Sequence, residues 1–279
     1  MTEFFRKAGI VSYCRSRQKL YTMSFVTLEL CFYLFLMGVL WCVRNMSVAM
    51  KLSFTPYVSV FLGNDWTIQI LFYGIFLWTI SGLCRQPDDC FYIYARSGSK
   101  SWHLGNLAAM IVFSIIYTVL TAGIENWLLL LPHIQPSNQW GRGWRLLALT
   151  TARQHFRISF LPDSMILYFY TPVRALILSN LLQVQCLIFL GNILYLGEVV
   201  MHKGVGAILA LFFIFLDLFL YNLNLKNLYK FSPVTLSRLS IYNFSTVKYG
   251  IHMTGGLAFL IGSSLAMIMI IIGVNKKYV

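Results

Sequence analysis

Six stretches of 18 to 28 residues run without a Lys or Arg: Met23–Val43, Trp66–Leu83, Leu104–Leu131, Ala175–Leu196, Gly204–Tyr221 and Ile251–Val274. A helix needs about 20 apolar residues to cross roughly 30 Å of hydrocarbon, and inside lipid every backbone polar group must be bonded within the segment. The pattern predicts an all-α polytopic membrane protein with six transmembrane helices. The seven prolines, Pro56, Pro87, Pro132, Pro136, Pro162, Pro172 and Pro233, all fall between the stretches, where they punctuate connections rather than break helices. Trp41, Trp66, Trp102 and Trp127 lie at or near the ends, the place an amphipathic ring takes in a head-group belt, and Trp78 lies deeper.

The connections carry their own patterns. In residues 1–22, Phe4, Phe5, Ala8 and Val11 stand at helical spacing with bases beside them. Two readings follow, an interfacial helix or a disordered basic tail. The 132–174 connection is long for a structureless loop, and its apolar stretch Trp144–Phe160 points to a surface helix or a small folded cap. Between the second and third stretches, residues 84–103 place Asp88 and Asp89 ahead of Arg96 and Lys100, with Phe91, Tyr92, Tyr94 and Ala95 as an apolar edge. Acids before bases complement a helix dipole, so a short amphipathic helix is expected there, resting on the membrane or docking a partner.

Composition agrees with the pattern: 58% of residues are hydrophobic and 11% charged, against about 25% charged in a soluble domain. The net charge of +13 is spread over every connection instead of gathered on one module, so membrane flanks explain it better than nucleic acid. Residues 1–21 carry five bases and no apolar run of signal-peptide length, so the first stretch is expected to be a mature span. Those bases place the N-terminus, and after six crossings the C-terminus, on the cytoplasmic side of a cell membrane. On that topology eleven Lys and Arg fall in 54 inner residues and eleven in 94 outer ones, so charge density supports the orientation.

Candidate chemistry is sparse. There is no phosphate loop, dinucleotide fingerprint or HExxH, so ATP hydrolysis and zinc proteolysis are not expected of this chain. The six cysteines are scattered and the five histidines have no acidic partner at metal-ligand spacing, so no catalytic, cofactor or metal residue is assigned. Three acids lie within spans: Glu29, Glu125 and Asp217. A carboxylate in hydrocarbon must face the bundle interior, a watery cavity or an interface. Glu125 and Asp217, near outer helix ends, are close enough to reach head groups, whereas Glu29 calls for an internal partner. Outside the spans, Arg142, Arg145, Arg153 and Arg157 suit either anionic lipid head groups or an anionic ligand.

The run Tyr94-Ala95-Arg96-Ser97-Gly98-Ser99-Lys100, followed by Trp102, together with the basic N-terminal segment and the span count, resembles the membrane subunit of a bacterial type-2 ABC transporter. Ser232-Pro233-Val234-Thr235-Leu236-Ser237-Arg238-Leu239 before the last span is similar to a Ser-Pro pattern of many Firmicute permeases. The resemblance implies that the 84–103 segment is a coupling helix docking a separate cytoplasmic ATPase through Asp88, Asp89, Tyr92, Arg96, Ser97 and Lys100. Glu198 and His202 in the next inner turn would add a second contact. ATP and Mg would bind the partner ATPase and not this chain. A second permease subunit would complete the pathway, and the cargo would be an amphiphile (lipid, peptide or drug-like), most naturally exported. The large basic 132–174 connection departs from the polysaccharide exporters of that family. A non-transporting membrane partner (a sensor, immunity or assembly subunit) and an intramembrane enzyme are the competing readings.

Overall fold

Apolar runs become helices wherever no breaker intervenes. A computed structural model describes residues 2–20, 23–84, 94, 96–128, 137–201, 204–223, 225–242 and 251–273, and among these no strand occurs. The long helices are α1 (Thr2–Leu20), α2 (Met23–Met50), α4 (Trp66–Cys84), α5 (Ser99–Leu128), α9 (Pro172–Val200), α10 (Val205–Asn222) and α12 (Met253–Gly273). Short helices fill the connections: α3 (Ser59–Leu62), α6 (Arg142–Leu149), α7 (Ala152–His155), α8 (Ser164–Phe169) and α11 (Pro233–Leu236). Among the described residues, five helices (α2, α5, α9, α10 and α12) are long and apolar enough to cross a membrane, which marks a multi-pass membrane protein. In α4 the apolar part, Trp66–Gly82, is shorter.

Two helices extend past their expected limits for local reasons. The sequence from Val43 to Met50 holds no breaker, so α2 continues through Arg44, whose guanidinium lies 5.5 Å from the Trp41 ring centre. Lys51, with φ of 50°, ends the run. At the other connection α5 starts at Ser99, so Lys100, Trp102 and His103 belong to the long helix and not to a separate one.

Helix α9 is the mast of the bundle and packs against α4, α5, α10 and α12. Its Leu182, Cys186, Leu187 and Leu190 are fully buried, at the three- and four-residue spacing of one helix face. Pro172 opens it in the first turn, where the missing N–H has no partner to lose. Where α9 meets α10, Gly206 is required: a Cβ there would lie 2.0 Å from the Leu194 carbonyl oxygen. Between α4 and α5 an aromatic column forms, with Phe72 and Tyr117 rings 4.8 Å apart and Phe76 and Phe113 rings 5.9 Å apart. The Tyr117 hydroxyl donates to the Phe72 carbonyl at 2.8 Å. Phe25 of α2 meets Phe113 at 5.6 Å, and the residues one turn further on each helix also meet, so α2 and α5 run side by side in the same direction.

Both ends of the bundle are closed by folded connections. At one end, residues 52–62 and 137–170 knit into an aromatic cap. Trp144 is fully buried, its ring 5.0 Å from Phe54 and 4.8 Å from Phe61, and its indole N–H donates to the Thr55 carbonyl at 3.0 Å. Trp140 donates to the Tyr170 carbonyl at 2.7 Å. Trp144, Leu147, Ile158 and Phe160 are therefore buried in this cap, whereas Leu149 is exposed. At the other end α1 lies against the start of α5, burying Ala8, Val11, Ser12 and Arg15. That stripe is rotated from the expected one, since Phe5 is exposed. Gly105 permits the approach: a Cβ there would sit 2.7 Å from the Val11 side chain. Gly105 and Asn126, which caps Ser59 at the far end with a 3.2 Å bond, are about 30 Å apart along the helix, the thickness of a hydrocarbon core.

Candidate functional site

Three buried polar constellations interrupt the apolar packing. The first ties α1 to the turn before α5. Gly98 N–H bonds to the Tyr94 carbonyl at 3.0 Å, closing a turn, and Trp102 follows one turn into α5. Trp102 was expected in a head-group belt, yet it is buried between Tyr94, at 5.8 Å, and Arg15, whose guanidinium lies 5.1 Å from the ring centre. The basic N-terminal helix sets the Arg15 cation against its ring. Arg15 also donates to the Asn106 side chain at 3.3 Å, Asn106 donates to the Tyr195 hydroxyl at 3.1 Å, and His103 bonds the same hydroxyl at 2.8 Å. The turn, α1, α5 and α9 are thus one polar unit.

On this unit Arg96 and Lys100 are exposed and Ser97 is half-buried. Asp88, Asp89, Tyr92 and His202 lie outside the described residues. Glu198 is engaged internally: its carboxylate accepts the Gly204 N–H at 2.7 Å and so closes the turn between α9 and α10.

The second constellation surrounds Asp217 on α10. Every residue from Ser232 to Leu239 is buried, because the connection after α10 turns back into the bundle. Ser232 caps α11 by accepting the Thr235 N–H at 3.3 Å, with Pro233 in the first turn. Asp217 then accepts from the Thr235 hydroxyl at 2.6 Å on one oxygen and from the Arg238 guanidinium on the other. Arg238 donates to Gln69 of α4 at 2.7 Å, Gln69 donates to the Gly63 carbonyl at 2.7 Å, and Tyr73 donates to Ser237 at 2.7 Å. Tyr242 donates to the Leu236 carbonyl at 2.6 Å, and burial pushes its hydroxyl pKa up. Asp217 faces this joint instead of reaching head groups. Arg238 stands outside every span, so hydropathy alone does not pair it with Asp217; the local signal is the helix cap Ser232-Pro233-Val234-Thr235.

The third constellation holds the other two acids. Glu29 on α2 is 7% exposed, and neither carboxylate oxygen meets a donor in good hydrogen-bond geometry, the Tyr33 hydroxyl beside it being the one candidate. It lines a groove of about 260 Å³ between α2 and α5 together with Phe25, Tyr33, Tyr117 and Thr121. Glu125 is also buried, one turn beyond Thr121, in a small polar gap beside Gln69 and Gln183. The three acids therefore occupy two sites: Asp217 in a saturated joint, Glu29 and Glu125 on either side of Thr121.

The outer bases do not converge. Arg142, Arg145 and Arg157 are exposed, and Arg153 is spent on the Ile158 and Ser159 carbonyls at 3.0 and 2.8 Å, where it shapes the loop. Among the described residues no three His, Cys, Asp or Glu side chains gather to hold a metal. No family model, curated protein or solved structure matches the chain.

Proposed function

We propose that the chain is the membrane subunit of an ATP-driven transporter, in which α4 serves as a sixth span and both termini face the cytoplasm of a cell membrane. A second permease subunit, the same or related, completes the pathway, and a separate cytoplasmic ATPase of the ABC class supplies the work. The observation that supports this reading best is the rigid seating of the 94–102 turn. Trp102, Arg15, Asn106, His103 and Tyr195 bind that turn to α1, α5 and α9 while Arg96 and Lys100 stay exposed. A partner pressing on Arg96 and Lys100 would move two long helices together. A ligand shifts a conformational equilibrium only through unequal binding to its states, and a stiff docking turn converts the ATPase's nucleotide state into such a difference.

The test is capture of an ABC ATPase by the purified full-length chain, with turnover measured in the complex. Arg96→Glu with Lys100→Glu is expected to lower ATPase association at least ten-fold while the chain remains monodisperse. Undiminished association would remove the docking role. Association without any substrate-stimulated turnover would favour a sensor or assembly subunit over a transporter.

A further inference from the structure

The Glu29 groove is chemically unlike the rest of the bundle. Its wall carries Phe25, Tyr33 and Tyr117 rings and the Thr121 hydroxyl, and no Lys, Arg or His among the described residues. Glu29 is more than nine-tenths buried, no cation pairs with it, and the Tyr33 hydroxyl is the one donor beside it, outside good hydrogen-bond geometry. The two buried arginines among the described residues are engaged elsewhere, Arg238 with Asp217 and Gln69 and Arg15 with Asn106 and Trp102. The second carboxyl, Glu125, lies behind Thr121. On the rim, Val26 and Leu30 are 53% and 59% exposed, so the groove opens through the apolar outer face of α2 and not toward either polar end.

We propose that this groove binds a lipophilic cation, an amine or onium carried on an apolar body, which enters from the bilayer and pairs its charge with Glu29. Three features select that class. An unpaired carboxylate among aromatic rings recognises a cation twice, by charge and by the negative faces of the rings. A volume of about 260 Å³ lies just below the usual range for small-molecule sites, roughly 300–1,000 Å³, and is far too small for a helix. Lateral access through Val26 and Leu30 suits a molecule that partitions into membrane first. The inference deepens the transport reading and rests on it only for the statement that the bound cation is cargo.

Binding is measured on the full chain in detergent or nanodiscs, without any ATPase, so it stands apart from the docking test. Equilibrium dialysis with tetraphenylphosphonium is set against tetraphenylborate, which has nearly the same shape and the opposite charge. The wild type is expected to bind the cation at least ten-fold more tightly than the anion. Glu29→Gln should abolish that preference, and Glu29→Asp should retain part of it, which separates loss of charge from loss of fold. Equal affinity for the two ions, or cation binding unchanged in Glu29→Gln, would overturn the proposal. So would failure of the wild type to bind while Val26→Cys cross-links to a second chain, which would give the groove to a helix.

Discussion

Asp217 and Glu29 are both carboxylates buried on apolar helices, and their surroundings are opposites. Asp217 has a donor on each oxygen, and its cation is itself bonded to Gln69. Glu29 has none in good hydrogen-bond geometry, with only the Tyr33 hydroxyl beside it. Removing a carboxylate from water costs several kcal/mol, and a protein recovers that cost by surrounding the group with partners. Asp217 has them and is explained by the fold. Glu29 has no cation and no saturated shell, and that is the difference the proposed cation site accounts for.

That contrast can be broken at several points, each read as thermal unfolding of the purified chain in detergent. Arg238→Ala leaves a buried, uncompensated carboxylate and is expected to cost about 3–5 kcal/mol. The double change Asp217→Leu with Arg238→Met should recover most of that loss, since apolar side chains of similar volume replace buried ion pairs at little cost. Thr235→Val removes the 2.6 Å hydroxyl donor to Asp217, a bond to a charged group, and should cost roughly 1.5–3 kcal/mol. Tyr73→Phe removes a neutral bond to Ser237 and should cost about 1 kcal/mol. Glu29→Gln should leave the transition where it is or raise it, because no ion pair or well-formed hydrogen bond is lost. A drop as large as that of Thr235→Val would mean that Glu29 is structural after all and would erase the contrast.

Much of this was legible in the chain. The apolar runs show where the long helices lie, to within a few residues at α4, α10 and α12. They mislead at α2 and α5 because Arg44 and Lys100 look like boundaries, whereas only Lys51 and Gly98 break the helix. The density of Trp and Phe in Trp144–Phe160 signals burial, but its partner surface, Phe54 and Phe61, comes from a connection some 80 residues earlier that hydropathy cannot pair with it. The same holds for Asp217 and Arg238: a charge inside a helix is visible, whereas the return of a later segment into the bundle is a tertiary event. Glu29 stood out as an intramembrane acid. Its groove did not, because Phe25, Tyr33 and Tyr117 read as ordinary lipid-facing or core aromatics until α2 and α5 are set side by side.

The seating of α1 also bears on how the chain is made. Arg15 and Asn106 are separated by 91 positions, so at roughly 5–20 residues per second α1 leaves the ribosome about 5–20 s before its binding surface exists. During that interval its basic residues and exposed Phe5, Ile10 and Tyr13 give it a temporary home on the bilayer surface. Its arrival on Gly105 and Trp102 then reports that α5 has been inserted. A bulky fusion joined directly to the N-terminus should act on biogenesis before it acts on the finished protein.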